Sequence, residues 1–483
     1  MCLDSVKRGG ITLYLCLVLS VILSLVFAGL NSACMAAGRT ALACGMEQGL
    51  YSLFSEYDRS LFENYGLLFL DGGYGTENLK LEKLYEQVRE AAGYVMDPEG
   101  LLGIRLESGS LTGYTLATDS QGAAFRRQVC TIMKKQLGIS GIQFLSEKLQ
   151  NQFGIMQEQE QKKQEAGTEK AEQDYEARKK AAAESAKEEK TVHQKVEIPP
   201  DFENPIEVIQ KIQKMGILNL VISDASQLSG HSLGNEKLLW ERELQKGMGV
   251  LPEDKSEVWD KFLLLEYLTE FYPCYTDCGQ GEGLRYQVEY AIGGCRDDME
   301  NLKKVVYQLL AIREASNLIY LCGSPARCAE ADETALIIST LLLMPEAYEL
   351  VSFVVKICWA FGESILDIRE LLEGGSVPLL KDDASWHLSL NMLSRLLELG
   401  KEEPQSEKGL NYQWYLRLLL MMKNEEMLTK AMMNLTEYNM RIQSGNPGFS
   451  LDACVESAEV MFSARVRSGR FSITRSYGYD MDQ

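Results

Sequence analysis

Residues 11–30 read ITLYLCLVLSVILSLVFAGL, twenty residues with no ionisable group apart from the Tyr14 phenol and the Cys16 thiol. At 1.5 Å per residue such a helix spans about 30 Å, the thickness of a bilayer's hydrocarbon core. The stretch therefore predicts a single membrane anchor. Lys7 and Arg8 precede it, partly offset by Asp4, while Glu47, Glu56 and Asp58 follow. That asymmetry predicts a cytoplasmic leader (residues 1–10) and an extracytoplasmic location for the rest of the chain. Residues 32–59 are rich in Ala, Met, Leu and Gly with few charges, so the helix is expected to continue as an amphipathic stalk, broken near Tyr65-Gly66.

The anchor's processing follows from its flanks. Its apolar core is longer than the 7–15 residues of a cleaved signal peptide. A lipoprotein box would place a Leu-Ala-Gly-like triplet before Cys34, where Asn31-Ser32-Ala33 stands. Lys7-Arg8-Gly9-Gly10-Ile11-Thr12-Leu13 resembles a type IV prepilin junction, with cleavage between Gly10 and Ile11. The pilin pattern carries Glu at the fifth mature position, and this chain has Leu15, so an uncleaved anchor is the default expectation.

Composition narrows the rest. The chain has 483 residues, enough for two or three domains, and a net charge of −20. So acidic a balance opposes binding to a phosphate backbone, and nucleic acid is not an expected partner. Leu67 to Leu70 reads as a short strand ending at Asp71-Gly72-Gly73, followed by a helix over residues 79–94. Ile104 to Thr118 reads as one or two strands with a turn at Ser108-Gly109, and Ala123 to Leu137 as a helix stopped by Gly138. Met156 to Lys190 then contains ten acids, eight bases and no Leu, Ile, Val or Phe. Lacking an apolar seam, this is read as a solvated helix or disordered linker serving as a spacer (146–200).

Beyond Pro199-Pro200 a short helix is expected from Asn204-Pro205, a strand at LNLVIS (218–223) and a helix at 259–272. Leu284, Tyr286, Val288, Tyr290 and Ile292 alternate with Arg285, Gln287 and Glu289, the period of a half-buried strand. Helices dominate 299–443. The apolar run Ala335 to Met344 is too short to span a bilayer and is read as core helix. Val460, Phe462, Ala464 and Val466 alternate with polar residues, then Ser468-Gly469 and Phe471, Ile473 and Tyr477 complete a C-terminal hairpin. The fold class is α+β. It comprises the extended anchor helix with a first α+β segment (31–145), a second α+β segment (201–298), a large mostly α-helical block (299–445) and the hairpin (446–483). One antiparallel sheet is expected from segments near 67–70, 104–118, 284–292 and the hairpin, with the helical block inserted or packed as a second layer.

Few residues suggest chemistry. His193, His231 and His387 lie far apart, and H-E-x-x-H, G-x-S-x-G and P-loop patterns are lacking. Gly279-Gln280-Gly281-Glu282-Gly283 precedes a predicted strand and reads as a loop. Asp224-Ala225-Ser226-Gln227-Leu228-Ser229 resembles the D-x-S-x-S metal-adhesion motif, but its second Ser falls one residue late, which leaves an Asx/Ser turn. Glu363 and Asp367, four apart beside Arg369, read as a solvated acidic face with a local Arg pair. No catalytic, cofactor-binding or metal-ligating set is expected. Of the twelve cysteines, Cys274, Cys278, Cys295, Cys322 and Cys328 are the candidates for disulfides, with buried thiols as the alternative.

Longer stretches carry a family resemblance. Gly10 to Leu15, Ser55-Glu56-Tyr57-Asp58, Glu63 to Asp71, Val288 to Gly294, Ile312-Arg313-Glu314 and Trp359 to Arg369 resemble an uncharacterised bacterial family. Its members are single-anchor extracytoplasmic proteins associated with tight-adherence (Tad) pilus loci, TadE-like minor pseudopilins in plan. The resemblance implies a structural or assembly role beside pilin-like or assembly-platform membrane proteins, and it supplies no catalytic residue. A surface hydrolase or ligand sensor with a site in the helical block is the competing expectation; His387 beside a carboxylate in a polar cleft would favour it.

Overall fold

The computed structural model describes residues 4–93, 103–184, 202–222, 228–235, 237–249, 259–279, 281–396, 408–443, 445–466 and 469–479. The chain packs as two units, each drawn from separated stretches. The first comprises residues 1–131, 237–256 and 436–483; the second comprises 132–236 and 257–435. The helical block is thus a large insertion within a unit whose ends come from both termini.

In the first unit α1 runs Asp4–Phe54 without interruption, followed by α2 (Arg59–Tyr65), β1 (Leu70–Asp71), α3 (Leu81–Gly93) and β2 (Ile104–Leu116). The Asp58 carboxylate caps α2 by accepting from Leu61 N, and left-handed Gly66 ends it. β5 (Cys454–Val466) is the central strand of an antiparallel sheet. It pairs with β2 along one edge and with β1 and β6 (Gly469–Gly478) along the other. The alternation read at Val460, Phe462, Ala464 and Val466 holds: all four are buried, while Met461 and Arg465 are exposed.

The helix laid on this sheet is the C-terminal half of α1. Leu42, Met46, Leu50 and Leu53 recur at three- or four-residue steps and are buried with Leu84 and Val88 of α3 and the β5 face. Residues 34–54 are therefore no free stalk but a core element. Two glycines permit the approach. A Cβ on Gly38 would lie 2.5 Å from Val466 Cγ2, and one on Gly49 2.8 Å from the Val88 carbonyl oxygen.

β2 takes the one-strand alternative of the sequence reading. It is a single strand carrying bulges, and no turn falls at Ser108-Gly109. Gly109 is needed for packing: a Cβ there would meet the Phe462 ring. Ser468 of the C-terminal hairpin lies outside the described residues.

The second unit is helical, with α4 (Asp119–Glu184, its residues 119–131 counted with the first unit), α5 (Pro205–Gln213), α6 (Ile217–Val221), α7 (Asp260–Phe271), α8 (Gln287–Gly293), α9 (Asp298–Gly323), α10 (Pro325–Leu341), α11 (Tyr348–Leu372), α12 (Tyr412–Met421) and α13 (Glu425–Gln443, its residues 436–443 counted with the first unit). Its only described strands are the two-residue β3 (Ser376–Val377) and β4 (Leu410–Asn411).

Four expectations are corrected here. First, α4 continues past left-handed Gly138 into the charged segment. Part of that segment is packed, with Met156 and Gln159 buried and Lys163 3.3 Å from Glu314, so residues 156–163 are not a spacer. Second, residues 218–222 of LNLVIS are not a strand, and Ser223 lies outside the described residues. Ile217, Leu220 and Val221 share the buried face of the short α6, started after left-handed Gly216. Third, residues 284–292 contribute no strand. Gln287 to Ile292 form α8, and every one of them is buried, so the alternation marked no solvent face. The Asp298 carboxylate accepts from Arg285 N and Tyr286 N ahead of α8, and left-handed Gly294 closes it. Fourth, only the first half of Ala335–Met344 is core: Ala335, Ile337 and Ile338 are buried, and Leu341 to Met344 are exposed.

Candidate functional site

Two features stand apart from ordinary packing, one in each unit. The first is the N-terminal half of α1. Every residue from Gly10 to Ala33 is exposed, although the stretch is almost wholly apolar. Among the described residues this is the one helix long and apolar enough to cross a membrane. The Ser20 and Ser24 hydroxyls donate to Leu17 O and Val21 O at 2.8 Å, so neither is left unsatisfied on the apolar surface, as a membrane-crossing helix requires. The Gly10–Ile11 peptide bond lies within the helix, which starts at Asp4.

The second feature is a buried ionic cluster in the helical block. Asp367 and Glu363 on α11 point inward, against the sequence reading of a solvated face, and are 3% and 0% exposed. Their partners come from elsewhere in the chain. Arg313 of α9 donates through Nε to Asp367 Oδ2 at 3.0 Å, and Asn317, one turn later, donates at 2.9 Å. Lys381, in the loop after β3, reaches Glu363 Oε1 at 2.6 Å and Asp367 Oδ1 at 2.7 Å, and its third proton meets Ser385 O at 2.6 Å. The backbone N–H groups of His387 and Leu388 donate to the two Glu363 oxygens at 3.0 and 2.8 Å. Arg313 also donates to Pro378 O and the Tyr415 hydroxyl.

Two cations thus balance two anions, and all four carboxylate oxygens are occupied. Burial pushes the Asp367 carboxyl up, but Arg313, Lys381 and Asn317 outweigh it and hold the group below the usual carboxylate range. A carboxylate so saturated is a poor proton acceptor. The arrangement clamps the 378–388 loop onto α9 and α11, and the Trp359 and Trp386 indoles add to the clamp by donating to Leu388 O. Arg369, read as a surface partner, is buried and donates to the Leu220 and Leu396 carbonyls.

His387 lies beside a carboxylate, its Nδ1 3.6 Å from Glu363 Oε1. Its side chain is half-exposed, at the rim of a filled cluster. The adjacent Glu363 carboxylate raises its pKa against the opposing effect of burial. His231 Nδ1 contacts Glu282 O at 3.0 Å, and His193 lies outside the described residues. So do Asp224 to Gln227 of the adhesion-like motif. Ser229, the motif's last residue, is buried and donates to Asp298. Among the described residues no group of three or more His, Cys, Asp or Glu is arranged to hold a metal ion.

The candidate cysteines are not joined in disulfides. Cys274 is buried and Cys278 exposed, in a turn closed by paired backbone bonds between Cys274 and Asp277. Burial, with Glu289 nearby, pushes the Cys278 thiol up to about 11. Cys295 lies beside Asn301, and Cys328 Sγ donates to Leu321 O, close to Cys322.

Sequence reasoning placed Glu289 on a solvated strand face. It is fully buried: Oε1 accepts from Tyr275 N and the Tyr412 hydroxyl at 2.8 Å, and Oε2 has no partner. Burial raises its pKa to about 7 against those two bonds. The available signal was a lone acid inside an apolar run. Lys381 gave no such signal, since a charged residue in a loop is unremarkable in one dimension.

No curated protein and no solved structure matches the chain. Residues 195–466, more than half its length and including both buried carboxylate sites, match a family of unknown function, DUF5702, and the chain belongs to that family.

Proposed function

We propose that the protein is a non-enzymatic, membrane-anchored component of an extracytoplasmic assembly, pseudopilin-like or an assembly factor of a tight-adherence pilus or secretion apparatus. The observation that carries this reading is the division of α1. Its N-terminal half is bare and apolar, while its C-terminal half is built into the core of an α+β unit. A bare apolar helix rigidly continuous with a folded unit can transmit the position of neighbouring membrane helices to that unit. Thr12, Cys16, Ser20, Ser24, Ala28 and Ser32 recur every fourth residue, a pattern of small side chains that favours close approach of helices in lipid. The partners in this reading are pilin-like or platform membrane proteins, and the leader's Lys7 and Arg8 keep the N-terminus cytoplasmic.

The competing reading, a surface hydrolase or ligand sensor, looked to His387 beside a carboxylate. That pair exists, but Glu363 is already filled by Lys381 and two backbone N–H groups, which supports a structural role. N-terminal sequencing of the mature protein, combined with oxidative cross-linking through Cys16, tests the proposal. A start at Ile11 or a Cys16-dependent cross-link to a pilin-like protein supports it. An intact leader with no membrane-helix partner sinks it.

A further inference from the structure

The hairpin formed by α10 and α11 carries apolar surface that its own unit leaves uncovered. Leu341, Leu342, Leu343 and Met344, at the turn, are all exposed, and Leu343 is 83% exposed in a left-handed conformation that disfavours large side chains. The first four turns of α11 are apolar on two sides. Val351, Val355 and Trp359 enter the core. Leu350, Phe353, Val354 and Ile357, spaced 0, 3, 4 and 7, form a second stripe in which Leu350 and Ile357 are exposed, while Val354 and Phe353, which has a partner of its own, are half-buried. A helix apolar on both sides is normally covered on both sides, and exposed patches of this kind mark interaction surfaces.

The charges around the stripe identify what covers it. Glu333 shares a face of α10 with Leu336, and Glu346 and Glu349 flank the turn; all three are exposed. Lys356, the basic residue of α11 within this stripe, is turned inward, 3.4 Å from Asp332. The rim is therefore acidic. A second copy of the same surface would set these glutamates against each other, and an anionic lipid surface would be repelled. We propose that this ledge is the docking site for a basic amphipathic helix of a partner protein, whose apolar ridge packs on Leu343, Leu350 and Ile357 while its flanking Lys or Arg meet Glu333, Glu346 and Glu349.

The test uses the full chain in nanodiscs of zwitterionic lipid, with empty nanodiscs as control. Two labelled peptides of about five helical turns carry Leu at the same 0, 3, 4, 7 spacing, one flanked by Lys and the other by Glu. The Lys peptide is expected to bind at least about tenfold more tightly, with an affinity that falls as salt rises. Leu343→Asp combined with Ile357→Asp is expected to lower that affinity about tenfold or more. Leu343→Asp alone, at the exposed turn, keeps the test intact if the double variant fails to fold. The triple change Glu333→Gln, Glu346→Gln and Glu349→Gln should flatten the salt dependence. Equal binding of the two peptides, or wild-type binding by the Asp variants, overturns the proposal. So does conversion of a dimer to a monomer by Leu343→Asp, which identifies a second copy as the occupant. Slowed amide exchange at 341–344 on transfer from amphipol to nanodisc, without peptide, identifies lipid and likewise overturns it.

Discussion

Replacing Lys381 with Met removes one cation from a cluster in which four charges balance. Lys381 is 1% exposed and touches Glu363 and Asp367, themselves 0% and 3% exposed, at 2.6 and 2.7 Å. Methionine fills much of the lysine stem's volume, so the cost is electrostatic: two buried carboxylates remain with Arg313 alone. Removing one partner from a buried ionic group costs about 3–5 kcal/mol. Adding Glu363→Gln removes the orphaned charge while an amide oxygen still accepts from His387 N or Leu388 N, so the double variant should recover most of that loss. Urea titration of the full chain in detergent micelles, followed by tryptophan fluorescence, reports on this region through Trp359 and Trp386. In the variant Asp367 no longer has Lys381 to hold the proton off, so its folded pKa rises. The penalty of Lys381→Met should therefore shrink as pH falls, because protonation replaces the missing cation. A Lys381→Met loss below about 1 kcal/mol, the range of exposed pairs, would refute the reasoning, as would a double variant no more stable than the single one.

Other outcomes follow from the same structure. Glu289 has a folded pKa raised to about 7, so the native state binds this proton more tightly than the unfolded chain does. Its contribution is full below the unfolded pKa and is lost as pH rises through about 7, a change of about 3 kcal/mol; Glu289→Gln should flatten denaturation midpoints across pH 5–8. His387, also raised, adds to the same slope, and His387→Ala should remove its share. Gly49→Ala gains about 1 kcal/mol of helix propensity but drives a Cβ to 2.8 Å from the Val88 carbonyl, and overpacking of about 1–3 kcal/mol makes the change destabilising by thermal melt. Gly29→Ala, with nothing near, should not destabilise. Deleting residues 1–30 should release the protein from sedimenting membranes; continued sedimentation rejects the anchor.

How much of this was readable in one dimension depends on the range of the interaction that decides each element. The exposed apolar half of α1 was readable because length and apolarity suffice: every residue from Gly10 to Ala33 is exposed. The C-terminal hairpin was readable for a related reason, since β5 and β6 are adjacent in sequence and one face meets the core, so burial follows the period of two. The α3 helix declared itself by Leu84, Val88 and Ala92 at four-residue steps. In each case the local pattern and the final environment agree.

Tertiary structure alone decided the rest. At 284–292 both faces are enclosed, so alternation lost its meaning; Pro273 O accepts from the first N–H groups of α8 and left-handed Gly294 ends it. Gly138 gave a stop signal that the continuing α4 overrode. Glu363 and Asp367 looked like a solvated pair because their counter-charges, Arg313 and Lys381, lie on other elements, and a buried charge is tolerable only where such partners converge. The anchor helix itself divides on the same ground. Sequence by itself determined that residues 11–30 are apolar enough to span a membrane. Only the packed sheet decided that the helix continues inward as a core element, because burial of Leu42, Met46 and Leu50 requires strands supplied four hundred residues later, beginning at Cys454.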